Sequence, residues 1–144
     1  LIDEVPHRMT YSDQWKVSAS STSLRGVGST RDPAYAFSYK GWRTDEPQTE
    51  NSWFQIQFPE PVVPAEIRFE SGDKEYPVSF TISTSTDGQK WKIVNQSRGN
   101  GGLNSLSIEV QESASFVKIQ TNEKSDNHWG MKNLTIFARK ETAM

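Results

Sequence analysis

The sequence predicts an all-β antiparallel β-sandwich of the jelly-roll type, and three observations carry that prediction. Short runs in which apolar and polar residues alternate recur along the chain, as in strands that are wet on one face and buried on the other. Gly, Pro, Asn and Asp separate them at the spacing of turns, and no stretch has the period of a helix of ordinary length. Five Trp, seven Phe and four Tyr supply large apolar area in a chain of mean hydropathy -0.73, the mixture expected of a sandwich with wide wet faces.

Residues 1–10 carry a Pro and no sustained period, and are expected to form a linker or docking arm. Trp15, Val17 and Ala19 begin the first alternating strand, and the Ser-, Thr- and Gly-rich residues 20–32 form a long loop. Residues 34–37 suit one helical turn, and a second polar loop spans 39–52, with Gly41 and Pro47 as breakers. The densest signal follows in 53–94. Phe54, Ile56 and Phe58 face one way and Gln55 and Gln57 the other; Ala65, Ile67 and Phe69 oppose Glu66, Arg68 and Glu70; Phe80, Ile82 and Thr84 oppose Ser79, Thr81 and Ser83. Asp87 and Gly88 predict a tight hairpin, since both turn positions tolerate positive φ, and Trp91 and Ile93 then resume the buried face. The passage reads as an antiparallel meander, broken at Pro59, Pro61 and Pro64, which cannot sit in a central ladder. Leu106, Ile108 and Val110 form a later strand, Val117 and Ile119 another, and Leu134, Ile136 and Ala138 the last, roughly eight strands in all. Trp15, Trp53 and Trp91 are core by pattern.

At 144 residues the chain has the length of one domain, expected over residues 11–140 and followed by a tail at 141–144. No apolar run approaches the roughly 20 residues that span a bilayer, so no membrane partner is expected. A formal net charge of -2 without a basic cluster argues equally against nucleic acid. The absence of Cys rules out a disulfide framework and cysteine catalysis while leaving the compartment open. His7 and His128 are the two histidines, and neither G-x-S-x-G nor H-E-x-x-H occurs, so metal and triad chemistry are not expected. Asp73, Glu75, Glu123 and Asp126 offer carboxylates for glycoside hydrolysis, but open loops lack the burial that raises a general acid. The chain starts at Leu1 without a charged n-region and apolar h-region, and is expected to be a module cut from something larger.

Loop placement follows from parity. Successive antiparallel strands reverse direction, so every second connection emerges at the same end. Residues 71–77, 99–104 and 122–130 share one end, 59–64, the Asp87 turn and 112–115 the other, and the same count adds 39–52 to the first set.

The runs WFQIQF, EIRFE, EYPVSFTISTSTDGQKW, FVKIQT and HWGMKNLTIF, in that order, resemble the discoidin domain, also called coagulation factor V/VIII type C, over residues 15–137. The most specific element is STDGQKW, with Ser85, Asp87, Gly88 and Trp91 at the family's S-x-D-G-x-x-W positions. The resemblance implies a galactose-binding-domain-like sandwich, most like the bacterial family 32 carbohydrate-binding modules attached to secreted glycoside-active enzymes. It implies a non-catalytic module, secreted to an extracellular or periplasmic space, that anchors a parent enzyme or adhesin to glycans. A protein- or phospholipid-binding adhesion module is the alternative, but those relatives usually carry a Cys pair and apolar loop tips, and neither appears here. Two departures concern calcium. Where the family commonly places carboxylates, this chain has Ser38 and Asn133, so no cofactor and no tight metal site are expected.

The resemblance also places the sugar in the loops that parity collects. Sugar hydroxyls need directional donors and acceptors, and sugar C–H faces need a flat apolar platform. Arg43 stands where galactose-binding relatives often have a His, and its planar fork can grip vicinal hydroxyls or a carboxylate. A galactose-type sugar, an amino sugar and a uronate all remain open as ligands. Asp73, Glu75 and Tyr76 come from the second loop, with Tyr76 better suited to packing than to binding; Asn127, His128 and Trp129 come from the third, where Trp129 matches a buried family Trp. Arg25, Arg98 and Asn100 complete the candidate rim.

Overall fold

The computed structural model describes residues 5–23 and 32–139. Nine strands appear among them: β1 (His7–Arg8), β2 (Lys16–Ala19), β3 (Trp42–Arg43), β4 (Trp53–Ser71), β5 (Ser79–Ser85), β6 (Lys92–Arg98), β7 (Gly102–Ser107), β8 (Ala114–Thr121) and β9 (Gly130–Arg139). A single 3-10 turn, Pro33–Phe37, precedes β3; Asp32 caps it through a side-chain oxygen that accepts the Ala34 N–H, and Pro at the first position suits its fixed φ. Among the described residues no helix is long and apolar enough to cross a membrane.

All pairings are antiparallel, and β4 belongs to both layers. Its first half pairs with β2 and β8, and β8 pairs on with β5 and then β6. Its second half lies between β9 and β7, and β1 extends that layer beyond β9. Trp53 stands opposite Gln120 and Ser71 opposite Gly102, at the loop end, whereas Val62 stands opposite Ala114 and Val63 opposite Arg139. The chain therefore runs down one sheet, crosses at residues 59–64 and returns in the other.

This corrects the expected meander. Only β5 and β6 pair as consecutive neighbours, because the crossing in β4 and the loop at 71–77 each carry the chain to the opposite layer. The prolines do not end the strand either; Pro59 and Pro61 lie exposed on the crossing, and Pro64 sits opposite Ala138 at a register shift. The 99–104 loop is shorter than expected, because β7 begins at Gly102, and both Ile108 and Val110 fall beyond its end at Ser107.

The period-2 pattern of β4 is realised fully: Phe54, Ile56, Ile67 and Phe69 have no exposed surface, and they meet Phe80, Ile82, Val117, Ile119 and Ile136 between the sheets. Each such side chain contributes about 1.5–3 kcal/mol by leaving water. Aromatic contacts run the length of this core. Trp15 meets Phe58 at 4.9 Å and Phe37 at 5.4 Å, both edge to face; Phe37 meets Phe54, Phe54 meets Trp42, and Trp42 meets Trp129 at 5.0 Å and 85°. Three expected core residues lie outside it. Trp53 shares the outer face with Gln55 and Gln57, and Trp91 sits half-buried against the edge of Phe116, with Lys118 Nζ 4.1 Å from its ring centroid. Ile93 is 58% exposed, because the bulge between Ile82 and Ser83 shifts the β5–β6 register and turns it outward.

Candidate functional site

The loops that parity groups do converge. Gln48 is buried and ties three of them together: its Nε2 donates to the Tyr76 carbonyl at 2.9 Å, its Oε1 accepts the Val78 N–H at 3.0 Å, and its N–H donates to the Asn127 carbonyl at 3.0 Å. Thr44 adds a second tie, donating its N–H to the Trp129 carbonyl and accepting the Trp129 N–H at its Oγ1. Both residues sit in the 39–52 loop, so that loop is held as firmly as a strand end.

Beside these ties lies a cleft of ≈ 660 Å³. Gly41, at φ +81, turns the chain into β3, whose alternation buries Trp42 and sends Arg43 outward. β3 is pinned to Gly130 and Met131 of β9, and the Trp42 indole N–H donates to Thr22 Oγ1 at 3.1 Å. From the facing loop, Glu75 closes a turn on Gly72, and its carbonyl accepts the Gly130 N–H at 2.8 Å. Arg43 Nη1 then donates to Glu75 Oε2 at 3.1 Å, with the two side chains 40% and 38% exposed. Gly130 makes this approach possible, since a Cβ there would sit 3.0 Å from Glu75 Oε1 and 3.2 Å from the Trp42 carbonyl.

Tyr39, Lys40, Glu70, Met131 and Lys132 also line the cleft. Tyr39 is 76% exposed and offers a nearly free aromatic face, while Glu70 Oε2 accepts from Asn133 Nδ2 at 2.6 Å. The cleft thus combines a charge-assisted donor with spare N–H groups, two carboxylates open to solvent on one side, and a flat ring at the rim. That set can hold a polar ligand by directional bonds and by stacking.

The other candidates divide. Asp73 is exposed and packs toward the β6–β7 connection, where a Cβ on Gly101 would lie 2.7 Å from its Oδ1. Arg98 faces Glu123 at 3.8 Å, largely in solvent, and the Asn100 backbone exchanges hydrogen bonds with the Asn104 amide. Tyr76 and Asn127 contribute their carbonyls to Gln48, and half-buried His128 donates from Nδ1 to the Thr44 carbonyl at 2.8 Å. Trp129 is a correction: with no exposed surface and its ring against Trp42, it presents no face to a ligand. Arg25 lies outside the described residues. Only Arg43 and Glu75 of the predicted set line the cleft, and Tyr39, Glu70 and Lys132 were missed. The sequence offered only an aromatic residue two places before Gly41; its exposure is a property of the folded chain.

Two sheets sharing one bent strand, with tight connections at one end and a loop-built cleft at the other, define a β-sandwich of the galactose-binding-domain-like class. The sequence signature of the F5/8 type C domain matches residues 16–134, and the chain belongs to that family. No curated protein sequence matches the chain. Among solved structures, the F5/8 type C domain of a Bacteroides fragilis protein is similar with a TM-score of 0.76 at 14% identity, over 94% of this chain and 98% of that one. Chitosan-binding module 1 of a chitosanase/glucanase from Paenibacillus sp. IK-5 gives a TM-score of 0.70 at 18% identity, covering 85% and 94%. The family 32 carbohydrate-binding module of C. perfringens NanJ, solved with galactose, gives 0.69 at 13% identity, covering 86% and 93%. At these identities the likeness is one of fold.

Proposed function

We propose that this domain is a non-catalytic carbohydrate-binding module whose site is the Arg43–Glu75 cleft, and that it anchors a parent secreted enzyme or adhesin to glycans. The observation that carries this is the ion pair beside an exposed aromatic ring. Arg43 and Glu75 can donate to and accept from neighbouring hydroxyls of one sugar while Tyr39 lies against its C–H face. The fold neighbours that carry sugar-binding names support the reading. So does the exposure of both charged groups, which suits reversible binding better than proton transfer in a desolvated site. A cleft this open desolvates few groups, so single-site affinity is weak and anchoring relies on repeated ligands or linked modules.

The domain is further proposed to work without calcium. The Ser38 hydroxyl donates to the Tyr35 carbonyl at 2.8 Å and accepts the Lys40 N–H, its carbonyl accepts the Asn133 N–H, and the Asn133 amide is taken by Glu70. Neutral and already engaged, these groups do not fit a hard dication that favours carboxylates.

Glycan-array screening followed by calorimetric titration of the best hit tests the proposal. Binding that falls at least about tenfold in Arg43→Ala, the loss of one charge-assisted contact, supports it. A folded sample that binds no glycan, or a variant that binds equally well, refutes it.

A further inference from the structure

A second groove, of ≈ 740 Å³, opens beside the 3-10 turn and shares no lining residue with the cleft. Tyr11, Asp32, Pro33, Tyr35, Phe37 and Ser38 line it. Tyr11 stacks on Phe37 at 4.8 Å and 24°, which fixes one side of its ring to the core, and the residue remains 38% exposed. Asp32 spends Oδ1 on the Ala34 N–H at 2.9 Å, and its Oδ2 takes no hydrogen bond from the described residues. Two carboxylates lie near the Tyr11 ring: burial raises its phenol above the ordinary value, and Asp32 and then Asp13 raise it further by disfavouring a phenolate. The protein's own Lys40 Nζ stands 5.9 Å from the Tyr35 ring centroid, so this aromatic wall already draws a cation.

We propose that this groove is a second binding site, for a ligand that carries an ammonium group on a small polar body. Tyrosine faces attract a cation through their quadrupole, Asp32 adds a full negative charge in the groove wall, and Asp13 stands close enough to act on Tyr11. An anion is repelled there, and a neutral sugar gains stacking without the electrostatic part. Amino-sugar units and choline headgroups share the required chemistry. The site is independent of the Arg43–Glu75 cleft, because Tyr11, Asp13 and Asp32 take no part in it.

The experiment is a titration of the full chain, with tyrosine rings isotope-labelled, by glucosamine, choline and N-acetylglucosamine, read by NMR. Glucosamine is expected to shift the Tyr11 and Tyr35 ring signals and to bind about tenfold more tightly than the uncharged N-acetylglucosamine. Asp32→Asn, which keeps an oxygen for the Ala34 N–H, combined with Asp13→Asn should weaken glucosamine about fivefold or more with the amide spectrum otherwise preserved. Equal binding of choline supports recognition of the ammonium alone, and preference for glucosamine supports recognition of the amine on its ring. The proposal is overturned if neither amine shifts these rings, if N-acetylglucosamine binds as well, or if the paired Asn variant is unchanged. Arg43→Ala should leave the ring shifts intact; their disappearance would assign them to the cleft and also overturn the proposal.

Discussion

Arg43 and Glu75 form a half-exposed pair, and half-exposed pairs add little to stability, about 0–1 kcal/mol. Arg43→Ala should therefore leave the melting temperature within a few degrees of wild type while removing glycan binding, a separation that calorimetry and thermal unfolding together can read. Gly130 behaves differently. A methyl group there would push on Glu75 Oε1 and the Trp42 carbonyl, so Gly130→Ala should weaken glycan binding by displacing Glu75, with both cleft side chains still present. Native Arg43–Glu75 contact and unchanged affinity in that variant would contradict this. Arg43 was legible in the sequence because β3 alternation and its place after Trp42 send it outward. Tyr39 was not, because its exposure follows from the left-handed Gly41 and from the docking of the Ser38 carbonyl on the Asn133 N–H, a contact across most of the chain.

The β5–β6 hairpin carries the family's most specific motif and serves as scaffold. Ser85 Oγ accepts the N–H groups of Asp87 and Gly88, and Asp87 Oδ1 accepts those of Gln89 and Lys90. Only Gly88 uses positive φ, and a Cβ there would meet the Phe116 ring at 3.0 Å. Hydrogen bonds from Lys90 and Gln89 hold the Asp87 carboxyl below its ordinary value of 3.8, and the Arg68 hydrogen bond does the same for Glu66 relative to 4.5. Because both values are lowered in the folded state, their stabilisation is present above the ordinary values and is lost as pH falls through the folded ones. Asp87→Asn should accordingly be less stable than wild type at neutral pH, with the gap closing below about pH 3.8 in melting scans. Alternation within β4 was legible because period 2 fixes which side chains are buried. Which strands pair was not, since the crossing at 59–64 decides it, and the outward turn of Ile93 depends on a bulge that leaves no mark in composition. Beneath the cleft, Trp129→Ala should cost about 3–5 kcal/mol. Trp129→Phe should cost less, since it also removes the buried Nε1, which has no hydrogen-bond partner among the described residues.

At the scale of the whole molecule, an aromatic seam from Phe58 to Trp129 runs through the core, and Gln48 and Thr44 tie the loops to one another above it. The fold class was readable from local pattern, whereas strand pairing and the site depend on segments distant in sequence. Stability that rests on this seam should be indifferent to calcium: the melting temperature should not change on adding EGTA or millimolar Ca²⁺, and a rise of several degrees with Ca²⁺ would revive a metal site at Ser38 and Asn133. The central claim is the location of the sugar. Amide chemical-shift mapping of the labelled domain with its best array glycan tests it most directly: the largest shifts should fall on Tyr39, Gly41, Arg43, Glu75 and Gly130, and a map centred on the Asp87 hairpin or the outer face around Trp53 would contradict it.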